Sequence, residues 1–125
     1  MAKTLQSVLI VDDSPISRKM LKSCFPKDRG YEFHEAGDGQ QGLDLYKELR
    51  PDLVTLDLTM PVMDGVTALS EIRAFDPDAT IIVCTADVQE KSLLEVTQRG
   101  AFLILPKPPS KVSVLEALTK VEESA

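Results

Sequence analysis

Apolar residues along this chain fall into short unbroken runs, and between the runs they recur every three or four positions. Val8-Leu9-Ile10-Val11 is such a run, mostly β-branched, and it predicts a strand buried on both faces. It ends at Asp12-Asp13-Ser14-Pro15, where Pro15 suits the first turn of a helix reaching about Cys24. Pro26, Asp28 and Gly30 mark a loop. Residues 31–36 predict a second, more mixed strand, with His34 in its middle as a surface or packing residue. Gly37-Asp38-Gly39 turns the chain into a helix carrying Leu43, Leu45, Tyr46 and Leu49, which Pro51 stops.

The third run, Leu53-Val54-Thr55-Leu56, ends at Asp57. A loop with Pro61 follows, then a helix from about Gly65 bearing Val66, Leu69, Ile72 and Phe75, ended by Asp76-Pro77-Asp78. Thr80-Ile81-Ile82-Val83-Cys84 predicts the fourth strand, ending at Thr85. A polar helix is expected from about Val88 to Gln98, closed by Gly100. Residues 102–105 form the fifth predicted strand, ending at Pro106-Lys107-Pro108-Pro109. Ser110 suits the cap of a last helix carrying Val114, Leu115, Leu118 and Val121.

Five strands alternating with five helices at short spacing predict an α/β fold with a doubly wound, five-stranded parallel sheet. No repeat, low-complexity tract or linker interrupts the pattern, so residues 1–125 are expected to form a single domain.

Composition narrows the function classes. A net charge of -6 disfavours direct nucleic-acid binding, because phosphate backbones would be repelled. The apolar runs are far too short to span a bilayer, and the first residues lack a secretory pattern. Cys24 and Cys84 lack metal-site spacing and are expected to be small buried hydrophobes. A reducing cytoplasm is the expected location.

In an open α/β sheet, ligands bind at the carboxyl ends of the strands, where strand order reverses. Those ends carry Asp12 and Asp13, Asp57, Thr85 and Lys107. With the order 2-1-3-4-5, strands one and three are neighbours and three carboxylates share one crevice. Two unit charges about 4 Å apart repel by about 4 kcal/mol at an effective dielectric near 20. Such a cluster raises a pKa or recruits a cation. Oxygen-only donors favour Mg2+, with Mn2+ as the alternative, over zinc. Carboxylate, divalent metal, ammonium and hydroxyl are the parts needed to receive a phosphoryl group, with Asp57 as nucleophile.

Helix capping accounts for Asp38, Asp64 and Asp87, and for one of Asp12 and Asp13. It does not account for Asp57, which Thr59, Met60 and Pro61 separate from the next helix. A phosphatase of the haloacid dehalogenase type would want an acid two residues after its nucleophile, where Thr59 stands. A nucleotide-binding module would want Ser, Thr or Gly where Asp12-Asp13 stand.

Over essentially its whole length the sequence resembles the response-regulator receiver family, of flavodoxin-like fold. Asp12-Asp13-Ser14 resembles the family's acidic pair. Residues 57–65, with Asp57, Met60-Pro61 and Met63-Asp64-Gly65, resemble its phosphorylation loop. Thr85-Ala86 resembles the switch hydroxyl and its small neighbour, and Lys107-Pro108 the lysine with a proline whose peptide bond is usually cis. Gly100-Ala101 also falls in register.

The resemblance implies metal ligands Asp13, Asp57 and the backbone carbonyl of Thr59, with Asp12 assisting through water. It implies a histidine kinase as phosphodonor, and an output protein docking on the fourth helix, fifth strand and last helix. Catalysis would be limited to the chain's own phosphorylation and dephosphorylation, which Thr59 and Asp87 would tune. Two departures bear on output. Ile104 occupies the usual aromatic switch position, and Pro106 and Pro109 flank the lysine where a non-proline residue and a phenylalanine are common. The sequence in hand stops soon after the last helix; output through a partner protein is expected, from a monomer or weak dimer, with one domain of a longer protein as the alternative. A chemotaxis regulator docking a flagellar motor switch and a phosphorelay intermediate both remain open. A receiver fold kept only as a scaffold would be expected to lack an acid or the lysine, and none is lacking.

Overall fold

A computed structural model describes residues 5–86 and 89–124. The strands are β1 (Ser7–Val11), β2 (Glu32–Ala36), β3 (Leu53–Leu56), β4 (Ile81–Thr85) and β5 (Leu103–Pro106). The helices are α1 (Pro15–Cys24), α2 (Gly39–Leu49), α3 (Gly65–Phe75), α4 (Glu90–Gln98) and α5 (Lys111–Glu123). All strand pairs are parallel, in the order β2-β1-β3-β4-β5.

The continuous apolar strands work as expected: successive side chains enter opposite cores. Leu9, Val11, Val54, Leu56, Ile81 and Val83 pack with Leu43, Tyr46, Leu69, Ile72 and Val96 beneath α2, α3 and α4. Val8, Ile10, Leu53, Ile82 and Cys84 pack with Leu21, Val114, Leu118 and Val121 beneath α1 and α5. Both cysteines are free and buried. His34 is half-buried on β2.

Asp38, Asp64 and Ser110 cap their helices as expected, whereas α1 is capped by Ser14 and not by Asp12 or Asp13. Ser14, Asp38, Asp64 and Ser110 accept hydrogen bonds from backbone N–H groups in the first turns of α1, α2, α3 and α5. Pro15 is the first residue of α1. The expected cap Asp87 and helix residue Val88 lie outside the described residues. The fourth strand includes Thr85, and the fifth starts at Leu103 and takes in Pro106, because Thr85 pairs with Pro106 at the end of the ladder. The loop expected after α1 contains a short 3-10 turn, Lys27–Arg29, ended by Gly30 in the left-handed region. Among the described residues, no helix is long and apolar enough to cross a membrane.

Candidate functional site

Strand order reverses between β1 and β3, and the candidate residues meet at the carboxyl ends there. Asp57 follows directly on β3, and its N–H donates to the Val11 carbonyl, prolonging the ladder. Asp12 is fixed in the same way by its N–H to Ala36 O. One Asp12 carboxylate oxygen accepts from the Ser14 N–H at 2.9 Å. The other accepts from Lys107 Nζ at 2.8 Å. Lys107 also stands 3.4 Å from Asp57 Oδ1, so one ammonium spans two buried carboxylates.

Asp12, Asp13 and Asp57 each offer an oxygen, and these atoms lie within 4.8 Å of one another. Asp12 and Asp57 are buried while Asp13 is exposed, so the cluster opens to solvent on one side. Burial pushes the Asp57 carboxyl pKa up, and the negative charge of Asp12 adds to this, while Lys107 works against both. For Lys107, burial alone would lower the pKa, but the bond to Asp12 and the charge of Asp57 outweigh it and the ammonium is stabilised. Three carboxylates against one ammonium leave a net negative, oxygen-only pocket, which fits a hard divalent cation.

Thr85 is buried at the end of β4, and its carbonyl accepts from the Lys107 N–H at 2.9 Å. That bond ties the β4 and β5 ends of the site together. Ala86 is exposed beside it. The Lys107–Pro108 peptide is cis. Thr59 is exposed two residues after Asp57. Gly65 permits the closest approach in the loop. Its N–H donates to Leu58 O, and a Cβ there would run into the carbonyl oxygen of Asp57. Ile104, on β5, is half-buried against the α2–α3–α4 core.

One residue escaped the sequence reading. Arg18 of α1 donates to the Asp12 carbonyl oxygen at 2.6 Å and, through Nε, to Glu35 at 2.8 Å. Lys22 holds the other Glu35 oxygen at 2.8 Å. The only hint available was that Arg18 and Lys22 are four residues apart and so share one face of a helix.

Residues 8–119 match the family described as the response regulator receiver domain. Chemotaxis protein CheY of Thermotoga maritima is 47% identical over 119 residues, covering 93% of this chain and 97% of that protein. Protein CcdB of Bacillus subtilis is 44% identical over 114 residues, covering 91% and 95%. Among solved structures, the CheX–CheY–BeF3–Mg2+ complex from Borrelia burgdorferi superposes with a TM-score of 0.87 at 36% identity, covering 93% of this chain and 88% of that one.

Proposed function

The chain belongs to the response regulator receiver family and is a CheY-like phosphoacceptor of two-component signalling, and on that premise we propose that Asp57 is the residue that takes the phosphoryl group. The observation that carries this is the single ammonium of Lys107 held 2.8 Å from Asp12 and 3.4 Å from Asp57, at the rim of a cluster of three carboxylates. An Asp57 carboxylate oxygen attacks phosphorus on a histidine kinase's phosphohistidine. The P–N bond breaks as the P–O bond forms, and the leaving imidazole nitrogen takes up a proton.

Asp13, Asp57 and the Thr59 backbone carbonyl, with Asp12 assisting, are the groups that would hold Mg2+. Bound there, the ion supplies positive charge beside the transferring group. Lys107 gives up part of its contact with Asp57 and pairs with a phosphoryl oxygen, remaining anchored to Asp12. The Thr85 hydroxyl donates to another. The phosphoryl group adds about -1.5 to -2 of charge at one point.

That charge is read out on the face of α4, β5 and α5, where Leu94 of α4 and Phe102, just ahead of β5, are exposed. Coupling runs through the Lys107 N–H bond to the Thr85 carbonyl, since Ile104 has no ring to rotate. A chemotaxis-type output is supported by the CheY relatives, which the chain covers over nearly their full length. The protein would act in the cytoplasm as a monomer or weak dimer, on no phosphoryl group but its own.

Borohydride reduction of the phosphorylated protein followed by peptide mapping tests the acceptor. It should convert Asp57 alone to homoserine; conversion at another carboxylate, with Asp57 intact, contradicts the assignment.

A further inference from the structure

A cavity of about 240 Å3 lies between the sheet and α1, extending inward from the carboxylate cluster. Ile10, Thr55 and Cys84 line it from the sheet, on the face that carries α1 and α5. Leu21 of α1 and Pro109, ahead of α5, line it as well. Its walls are mainly apolar, though Asp12, Ser17, Asp57 and Lys107 also line it. The Thr55 hydroxyl is fully buried and, among the described residues, has no hydrogen-bond partner.

A buried hydroxyl without a partner is a costly feature that an entering group could satisfy. An apolar cavity of about 150 Å3 already takes a benzene-sized guest. This one is larger, and the Thr55 hydroxyl in its wall is left without a partner. Asp12 and Asp57 outnumber Lys107 at its mouth, so an anion would be repelled.

We propose that this cavity is a binding site for a small, neutral, hydroxylated ring compound of the phenol class, whose ring packs against Ile10 and Leu21 and whose hydroxyl pairs with Thr55. The cavity shares Asp12, Asp57 and Lys107 with the phosphoryl site, and binding is read on the unphosphorylated protein.

The test uses 4-fluorophenol followed by fluorine NMR, with amide chemical shifts of the full chain as the map. Saturable binding is expected with a Kd on the order of 1 mM or tighter, given the ring's size. Amide shifts should centre on Leu21, Thr55 and Cys84. Thr55→Val, which keeps the shape and removes the hydroxyl, should weaken binding about fivefold, and Pro109→Phe should abolish it by filling the space. Absence of saturable binding would overturn the proposal, as would shifts centred elsewhere. If Pro109→Phe fails to fold, the Thr55→Val titration and the shift map still decide. Equal affinity of fluorobenzene and 4-fluorophenol for both wild type and Thr55→Val would overturn the role given to the hydroxyl.

Discussion

Lys107 and Asp12, 95 residues apart in sequence, are joined by a 2.8 Å hydrogen bond, and the same ammonium stands 3.4 Å from Asp57. This places the lysine where a bound cation would also act, as the positive neighbour of two buried carboxylates. Lys107→Ala is therefore expected to keep divalent-ion binding, with an affinity at least equal to wild type, while partner binding no longer responds to phosphorylation. Mn2+ titration by electron paramagnetic resonance checks the first half. A weakened metal affinity would show that Lys107 organises the cluster rather than competing with the ion.

Gly65 lies against the acceptor's own backbone. A Cβ at this position would meet the Asp57 carbonyl oxygen and come within 2.6 Å of Leu58 Cα. Backbone cannot yield here without moving Asp57. Gly65→Ala should lower stability by about 2 kcal/mol or more and slow phosphorylation by acetyl phosphate. Wild-type stability in urea denaturation would contradict the packing described.

Val62 adopts φ 67, a left-handed conformation that a β-branched side chain rarely takes, while 83% exposed. Strain of this kind costs about 1–3 kcal/mol. Asn tolerates the conformation, and little apolar contact is lost at so exposed a position. Val62→Asn should raise the urea midpoint by the equivalent of about 1 kcal/mol; a lower midpoint would contradict it.

The Tyr46 hydroxyl donates to Asp76 Oδ2 at 2.7 Å, linking α2 to the end of α3. This bond lowers the Asp76 pKa. Burial and the same bond raise that of Tyr46. A depressed carboxylate contributes stability above its unfolded pKa of about 3.9 and loses it as pH falls through the folded value. A raised phenol contributes below about 10 and loses it above. Tyr46→Phe should thus cost about 1.5–3 kcal/mol, evenly between about pH 5 and 9, and less below about pH 4. Denaturation midpoints across that range check it, and a cost that persists at the acid end would contradict the charged bond.

Much of this was legible in the chain because the strands are buried on both sides. Val8-Leu9-Ile10-Val11 and Leu53-Val54-Thr55-Leu56 show unbroken apolar runs, and chemistry-bearing residues follow directly after them. Asp57 stood out because no helix begins where it could serve as a cap. Strand ends were less clear: Pro106 reads as a terminator, yet it pairs with Thr85 at the end of the ladder. The 3-10 turn Lys27–Arg29 is too short for any periodicity. Arg18 was invisible because its role depends on β2 bringing Glu35 alongside α1, a relationship between elements rather than within one. The cavity depends likewise on how α1 and the Pro108-Pro109 segment sit over the sheet.

The intact mass of the protein after incubation with acetyl phosphate and Mg2+ tests the central claim most directly, with EDTA-treated and Asp57→Asn samples beside it. Without tryptophan in the chain, mass is a cleaner readout than fluorescence quenching. The account predicts a gain of one phosphoryl group in the wild type, lost on chelation and in Asp57→Asn. Full phosphorylation of Asp57→Asn, or a metal-independent gain, would contradict it.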